Sequence, residues 1–152
     1  MTEWRTDPAL AGKFHPQYPD DVQVLVHDGD PRRTQRRPEL CWVRLAAVDR
    51  PGVYVGVLLN QPHQLQTVKQ GDRLRFVANA GMKNPLHVTD AYLRERADWT
   101  ITPCDKCGAS ECFDPPTVMA KVRFPQMTDE MQIRAFTSFC SLCGGVQQLQ
   151  QH

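Results

Sequence analysis

The amino-acid sequence predicts an α+β protein that is mostly antiparallel β. The expected form is a small twisted sheet or partial barrel over residues 20–100, followed by a cysteine-bearing ribbon over 101–147. Three observations carry this. Short runs of period-two hydrophobicity recur between Val22 and Ala78, with Gly, Pro, Asn and Asp between them. Helical patterning is confined to brief stretches. The last third holds two Cys-x-x-Cys pairs joined by further alternating segments.

The elements follow in chain order. Residues 1–19 form an arm in which Asp7 caps a short turn opened by Pro8, with the rest laid over the body. Val22, Val24 and Val26 alternate with polar or outward residues and make the first strand, closed by the turn residues His27-Asp28-Gly29-Asp30. A proline-bounded basic loop follows, Pro31 to Pro38. Cys41, Val43 and Leu45 mark the second strand, and Arg50-Pro51-Gly52 is a tight turn. Val53, Val55, Val57 and Leu59 pair back as the third. Gly71-Asp72 opens a fourth, with Leu74, Phe76 and Ala78 on one face. Thr89 or Asp90 caps a short helix, Ala91–Arg96, and Trp99–Thr102 is extended. Beyond it, Val118, Ala120, Val122 and Phe124 alternate as one strand and Ile133, Ala135, Thr137 and Phe139 as another. The Gln-rich tail, 148–152, is expected to fray.

Composition narrows the function. The net charge of +1 provides no long-range field of either sign. The longest strongly apolar run, Val53–Leu59, is far short of the roughly 20 residues of a membrane span. The first residues have no apolar signal core, so a cytoplasmic location and no membrane partner are expected. In that compartment the six cysteines stay reduced and do not form a disulfide framework.

The strongest motif is Cys104-Asp105-Lys106-Cys107-Gly108 with Cys140-Ser141-Leu142-Cys143-Gly144. Each pair sets two thiolates on one tight turn, and the glycine after it supplies positive φ and lets amides approach sulfur. Four soft ligands make the closed tetrahedral shell of structural Zn2+, with iron as the alternative occupant. The two alternating segments between the pairs then form an antiparallel hairpin, as in a zinc ribbon. A shell of four thiolates leaves no position for an activated water. Cys112 is read as a bystander thiol and Cys41 as a buried small hydrophobe.

Other groups carry weaker signals. His27, Asp28 and Asp30 cluster at a strand end, which admits a hydrolytic or metal site, but turn chemistry plus an edge histidine is the preferred reading. The calcium-loop pattern fails for want of its downstream glutamate. Arg32, Arg33, Arg36 and Arg37 suit phosphates or an acidic partner, and no aromatics interleave with them. His63 and His87 are read as surface or loop residues. The only serines, Ser110, Ser138 and Ser141, lie outside any nucleophile elbow, and no phosphate loop or dinucleotide fingerprint is present.

Glu39-Leu40-Cys41-Trp42-Val43-Arg44, Gly56-Val57-Leu58-Leu59-Asn60-Gln61-Pro62 and Gly71-Asp72 with Phe76 resemble the YegJ-like bacterial domain of unknown function, over residues 39–78. That resemblance implies a small α+β or mostly β domain with no assigned activity. Occurrence of some members near secreted toxins implies an immunity role. The ribbon lies outside the family's pattern. The expected function is therefore a non-enzymatic, zinc-stabilised module that binds, through Arg32, Arg33, Arg36 and Arg37, another protein with an acidic surface, as an immunity protein neutralising a toxin would. The first alternative is a nucleic-acid or ribonucleoprotein binder using the ribbon and the Arg32–Arg37 loop. The second is a hydrolase with a site at His27, Asp28 and Asp30.

Overall fold

A computed structural model describes residues 3–28, 37–128, 133–140 and 142–152. Five strands form a closed barrel: β1 (Asp21–Val26), β2 (Glu39–Arg50), β3 (Val53–Leu58), β4 (Arg73–Val77) and β5 (Leu86–Val88). Successive strands pair antiparallel, and one parallel bridge, Leu25 to Leu86, closes the ring. An odd number of strands running up and down leaves the first and last pointing the same way, so this closure has to be parallel. Closure removes the free edges that an open sheet would present.

The period-two pattern buries Val22, Val24, Val26, Cys41, Val43, Leu45, Leu74 and Phe76 inside. In β3 the expected face is not the inner one: Tyr54 and Leu58 fill the barrel, Val55, Val57 and Leu59 are half-buried outside it, and Val53 joins the second core, because the larger ring of Tyr54 fits the barrel interior beside Phe76. The N-terminal arm contributes Trp4 and Leu10 to the same core through two 3-10 turns, Glu3–Thr6 and Pro8–Leu10. Asp7 caps the second turn as expected, accepting the Ala9 N–H at 2.9 Å, and its other oxygen meets the Tyr54 hydroxyl. Gly56 lets β2 and β3 close up: a Cβ there would lie 2.4 Å from Val43 Cγ1.

Strand β5 has no sequence signal, because Leu86, His87 and Val88 are all buried and show no alternation. Helix α1 (Asp90–Arg96) follows, with Thr89 as the cap that accepts the Tyr92 N–H at 3.2 Å.

The C-terminal part differs from expectation in two places. The 118–124 segment is not a strand but lies in helix α2 (Pro116–Arg123). Pro116, Met119 and Ala120 face inward at helical spacing, while Val122 is exposed. Pro116 presets φ for a first turn, and Glu95 of α1 caps that end, accepting the Thr117 N–H at 3.0 Å and its hydroxyl at 2.6 Å. The Gln-rich tail does not fray. It is strand β8 (Val146–Gln151), central in a second sheet between β6 (Trp99–Ile101) and β7 (Ala135–Phe139). Buried Gln147 and Leu149 alternate with exposed neighbours, so the tail carries a period-two pattern written partly in glutamine.

The second core joins the two sheets. Trp99, Ile101, Phe136 and Leu149 of the small sheet cluster with Val53, Val77, Leu86 and Val88 of the barrel, and with Phe113, Met119 and Tyr92 between them.

Candidate metal centre

The Sγ atoms of Cys104, Cys107, Cys140 and Cys143 lie within 4.8 Å of one another. Cys104 and Cys143 approach to 3.4 Å, Cys107 and Cys140 to 3.7 Å. Neither separation is a disulfide bond, and both suit sulfurs around one ion. The first turn follows β6 and the second links β7 to β8, so the pairing of β6 with β8 brings the two turns together. This replaces the hairpin of two intervening strands that the sequence suggested.

The two turns share one bonding scheme. Gly108 N–H donates to the Cys104 carbonyl at 3.0 Å, and Gly144 N–H to the Cys140 carbonyl at 3.0 Å. Cys104 N–H reaches the Ala109 carbonyl at 2.8 Å, and Cys140 N–H the Gly145 carbonyl at 2.6 Å. The Lys106 and Leu142 amides each point at the first sulfur of their turn at 3.4 Å. Gly108 and Gly144 adopt φ +79 and +76, the positive values expected after each second cysteine. Such amide contacts stabilise negative charge on sulfur. The Cys107 amide, helped by that of Lys106, brings the Cys104 thiol down to about 6. Burial pushes Cys140 up to about 12 and raises Cys107. Cys104 and Cys140 are buried, while Cys107 and Cys143 are exposed.

Two supporting residues escaped the sequence reading. Gly145 has no room for a side chain: a Cβ there would lie 2.5 Å from Cys104 Sγ and 2.8 Å from Asp105 Oδ1. Asp105 ties the turns together, accepting the Val146 N–H at 2.8 Å. The Gly144-Gly145 doublet was the available signal, because only one of the two is needed for positive φ.

Cys112 is not part of the cluster. It is buried, its N–H donates to the Tyr92 hydroxyl at 3.0 Å and its thiol to Gln147 Oε1 at 3.5 Å. Cys41 is 3% exposed on the inner face of β2, and burial raises its thiol.

The structure gives His27 and Asp28 structural work. His27 is fully buried, its ring 4.6 Å from that of His87 and 5.0 Å from Phe113. Its Nε2–H donates to the His87 carbonyl at 2.6 Å. Asp28 accepts the N–H groups of Gln66 at 2.9 Å and Thr67 at 2.8 Å, pinning the β3–β4 loop. Asp30, Arg32, Arg33 and Arg36 lie outside the described residues, and Arg37 is exposed. His63 is exposed as expected, but His87 is buried, because the unrecognised strand β5 carries it into the seam between the sheets. No helix is long and apolar enough to cross a membrane among the described residues. No protein family, curated protein or solved structure matches this chain.

Proposed function

We propose that the chain is a non-enzymatic binding module, stabilised by Zn2+ on Cys104, Cys107, Cys140 and Cys143, whose partner is a protein with an acidic surface. The observation that carries the reading is the convergence of four cysteine sulfurs to within 4.8 Å of one another, the one such group among the described residues. Four thiolates fill a tetrahedral shell, so the ion has a structural role and no site for substrate. Further support comes from His27 and Asp28, whose polar atoms hold backbone in place. An acidic partner suits the Arg32, Arg33, Arg36 and Arg37 loop, since guanidinium forks match carboxylates in pairs. Neutralising a toxin, as the resemblance of residues 39–78 implies, would be one instance of this.

The test is affinity capture from the source cells with the zinc-loaded chain, followed by measured binding of the recovered partner. A variant with all four loop arginines changed to alanine should bind at least about tenfold more weakly, the loss of roughly one desolvated charge pair. Equal affinity of parent and variant would overturn the acidic-surface reading.

A second reading, a single-stranded nucleic-acid binder, has one observation in its favour. Trp42 stands two residues from Arg44 on the outer face of β2, and its ring packs 4.9 Å from His15, itself 4.9 Å from Tyr18. Binding of an oligonucleotide with a steep salt dependence would favour this reading.

A further inference from the structure

Four arginines gather in one cleft on the outside of the barrel. Arg50 ends β2, Arg73 and Arg75 lie on β4, and Arg94 lies on α1; all four are exposed. The cleft has two lobes that share Arg75 and Asp90. One, of about 520 Å³, is lined by Asp49, Arg50, Arg75, Asp90, Leu93 and Arg94. The other, of about 460 Å³, adds Val55, Arg73, Val88 and Thr89.

The charges do not cancel. Arg75 donates to Asp90 at 2.5 Å and lies 3.9 Å from Asp49, while Arg50 lies 3.5 Å from Asp49. Arg73 and Arg94 have no acidic partner among the described residues. Each lobe thus has one unpaired guanidinium beside a half-buried apolar side chain, Val55 in one and Leu93 in the other. The Arg75–Asp90 pair spans from β4 to the first turn of α1, between the two lobes.

We propose that this cleft is the docking groove for an extended acidic segment of a partner protein. Its carboxylates seat on Arg73 and Arg94, and its apolar side chains lie against Val55 and Leu93. This rests on the reading of the chain as a binder of an acidic protein, and adds a surface distinct from the Arg32–Arg37 loop. A nucleic acid fits the cleft less well. Among the described lining residues the one ring is that of His87, which is buried against His27, so these residues offer bases no stacking platform. Asp49 and Asp90 stand inside the groove and oppose a continuous line of phosphates, whereas a peptide can space its carboxylates around them.

The zinc-loaded chain is titrated at low salt into a labelled peptide of alternating Glu and Val, about eight residues long, enough to follow a strand at about 3.3 Å per residue. An oligothymidine of similar length is the second probe. The peptide should bind the parent, and Arg73→Glu with Arg94→Glu should weaken it at least about tenfold. The alanine variant of the Arg32–Arg37 loop should retain binding, as should Arg123→Glu, an exposed arginine elsewhere. Unchanged melting and zinc content certify the fold of the double variant; if either moves, Arg73→Gln with Arg94→Gln takes its place. No binding by the parent, equal binding by the double variant, or tighter binding of the oligothymidine at the same arginines would overturn the proposal. Capture of the native partner equally well by parent and double variant would also overturn it, while leaving the protein-binding function standing.

Discussion

Gly145 shows how closely a single residue can bear on the metal centre. Its missing side chain leaves the space that Cys104 Sγ and Asp105 occupy. Gly145→Ala forces those atoms apart, so bound metal should fall well below one ion per chain. Elemental analysis after dialysis checks this. Cys107→Ser or Cys143→Ser should have the same effect by removing a thiolate, whereas Cys112→Ala should leave metal content unchanged, because its thiol meets Gln147. His87 bears on pH dependence. Burial, with the charge of His27 adding to it, holds its ring down to about 3 from an ordinary 6.5. The unfolded chain therefore takes up a proton between those values that the folded chain refuses. Stability contributed by neutral His87 is complete above about pH 6.5 and is lost as pH falls, by about 2 kcal/mol at pH 5. Denaturant midpoints at pH 5 and 7 should differ less in His87→Leu than in the parent. The cysteines are the same in both proteins, so the difference reports the His27–His87 pair rather than the metal site.

Strand β8 is the element whose role departs furthest from its composition. Four of its six residues are glutamine, yet it pairs with both β6 and β7. Gln147 donates to the Ala109 carbonyl at 2.7 Å, which satisfies a buried amide group at the seam. Leu149 is 1% exposed in the shared core. Leu149→Ala should therefore destabilise the protein by about 2–5 kcal/mol, the range for a large-to-small change in a packed interior. Removing residues 148–152 should expose β6 and β7 to proteolysis; an unchanged digestion pattern would show the strand to be dispensable. Helix α2 teaches a related point. Its V-A-V-F alternation fits a strand, but Pro116 and the Glu95 cap favour a helix, and the inward face is Pro116, Met119 and Ala120.

At the scale of the molecule, the two sheets share a core, so the metal and the barrel are coupled. The barrel's own core, with Val22, Val43, Tyr54 and Phe76, is filled from within and from the arm. The other core draws Val53, Val77, Leu86 and Val88 from the barrel's outside. A strong chelator should therefore melt 99–151 first and loosen β5 and the β3–β4 face, while β1 and β2 stay protected. Hydrogen exchange resolved by segment reads this directly. Simultaneous loss of protection in β1 and β2 would mean that the barrel cannot stand without the metal.

The sequence by itself determined the strands whose faces differ in polarity and the cysteines that meet. Alternation over Val22–Val26 and Cys41–Leu45 records a buried face directly, whereas over Val53–Leu58 it marks a strand but not its inner face, since the barrel takes Tyr54 and Leu58 rather than Val55 and Val57; Cys-x-x-Cys spacing is local chemistry on one turn. Only the tertiary structure decided the rest. Leu86–Val88 is buried on both sides and so shows no period, and its pairing with β1 spans about sixty residues of chain. The 118–124 segment took its state from a cap donated by another helix. His87 became a buried group, and Arg50, Arg73, Arg75 and Arg94 became neighbours, because barrel closure and the packing of α1 bring distant positions together. Local pattern reports how each residue meets water along its own element; which elements then face one another is decided by the shared core, which no single stretch of chain contains.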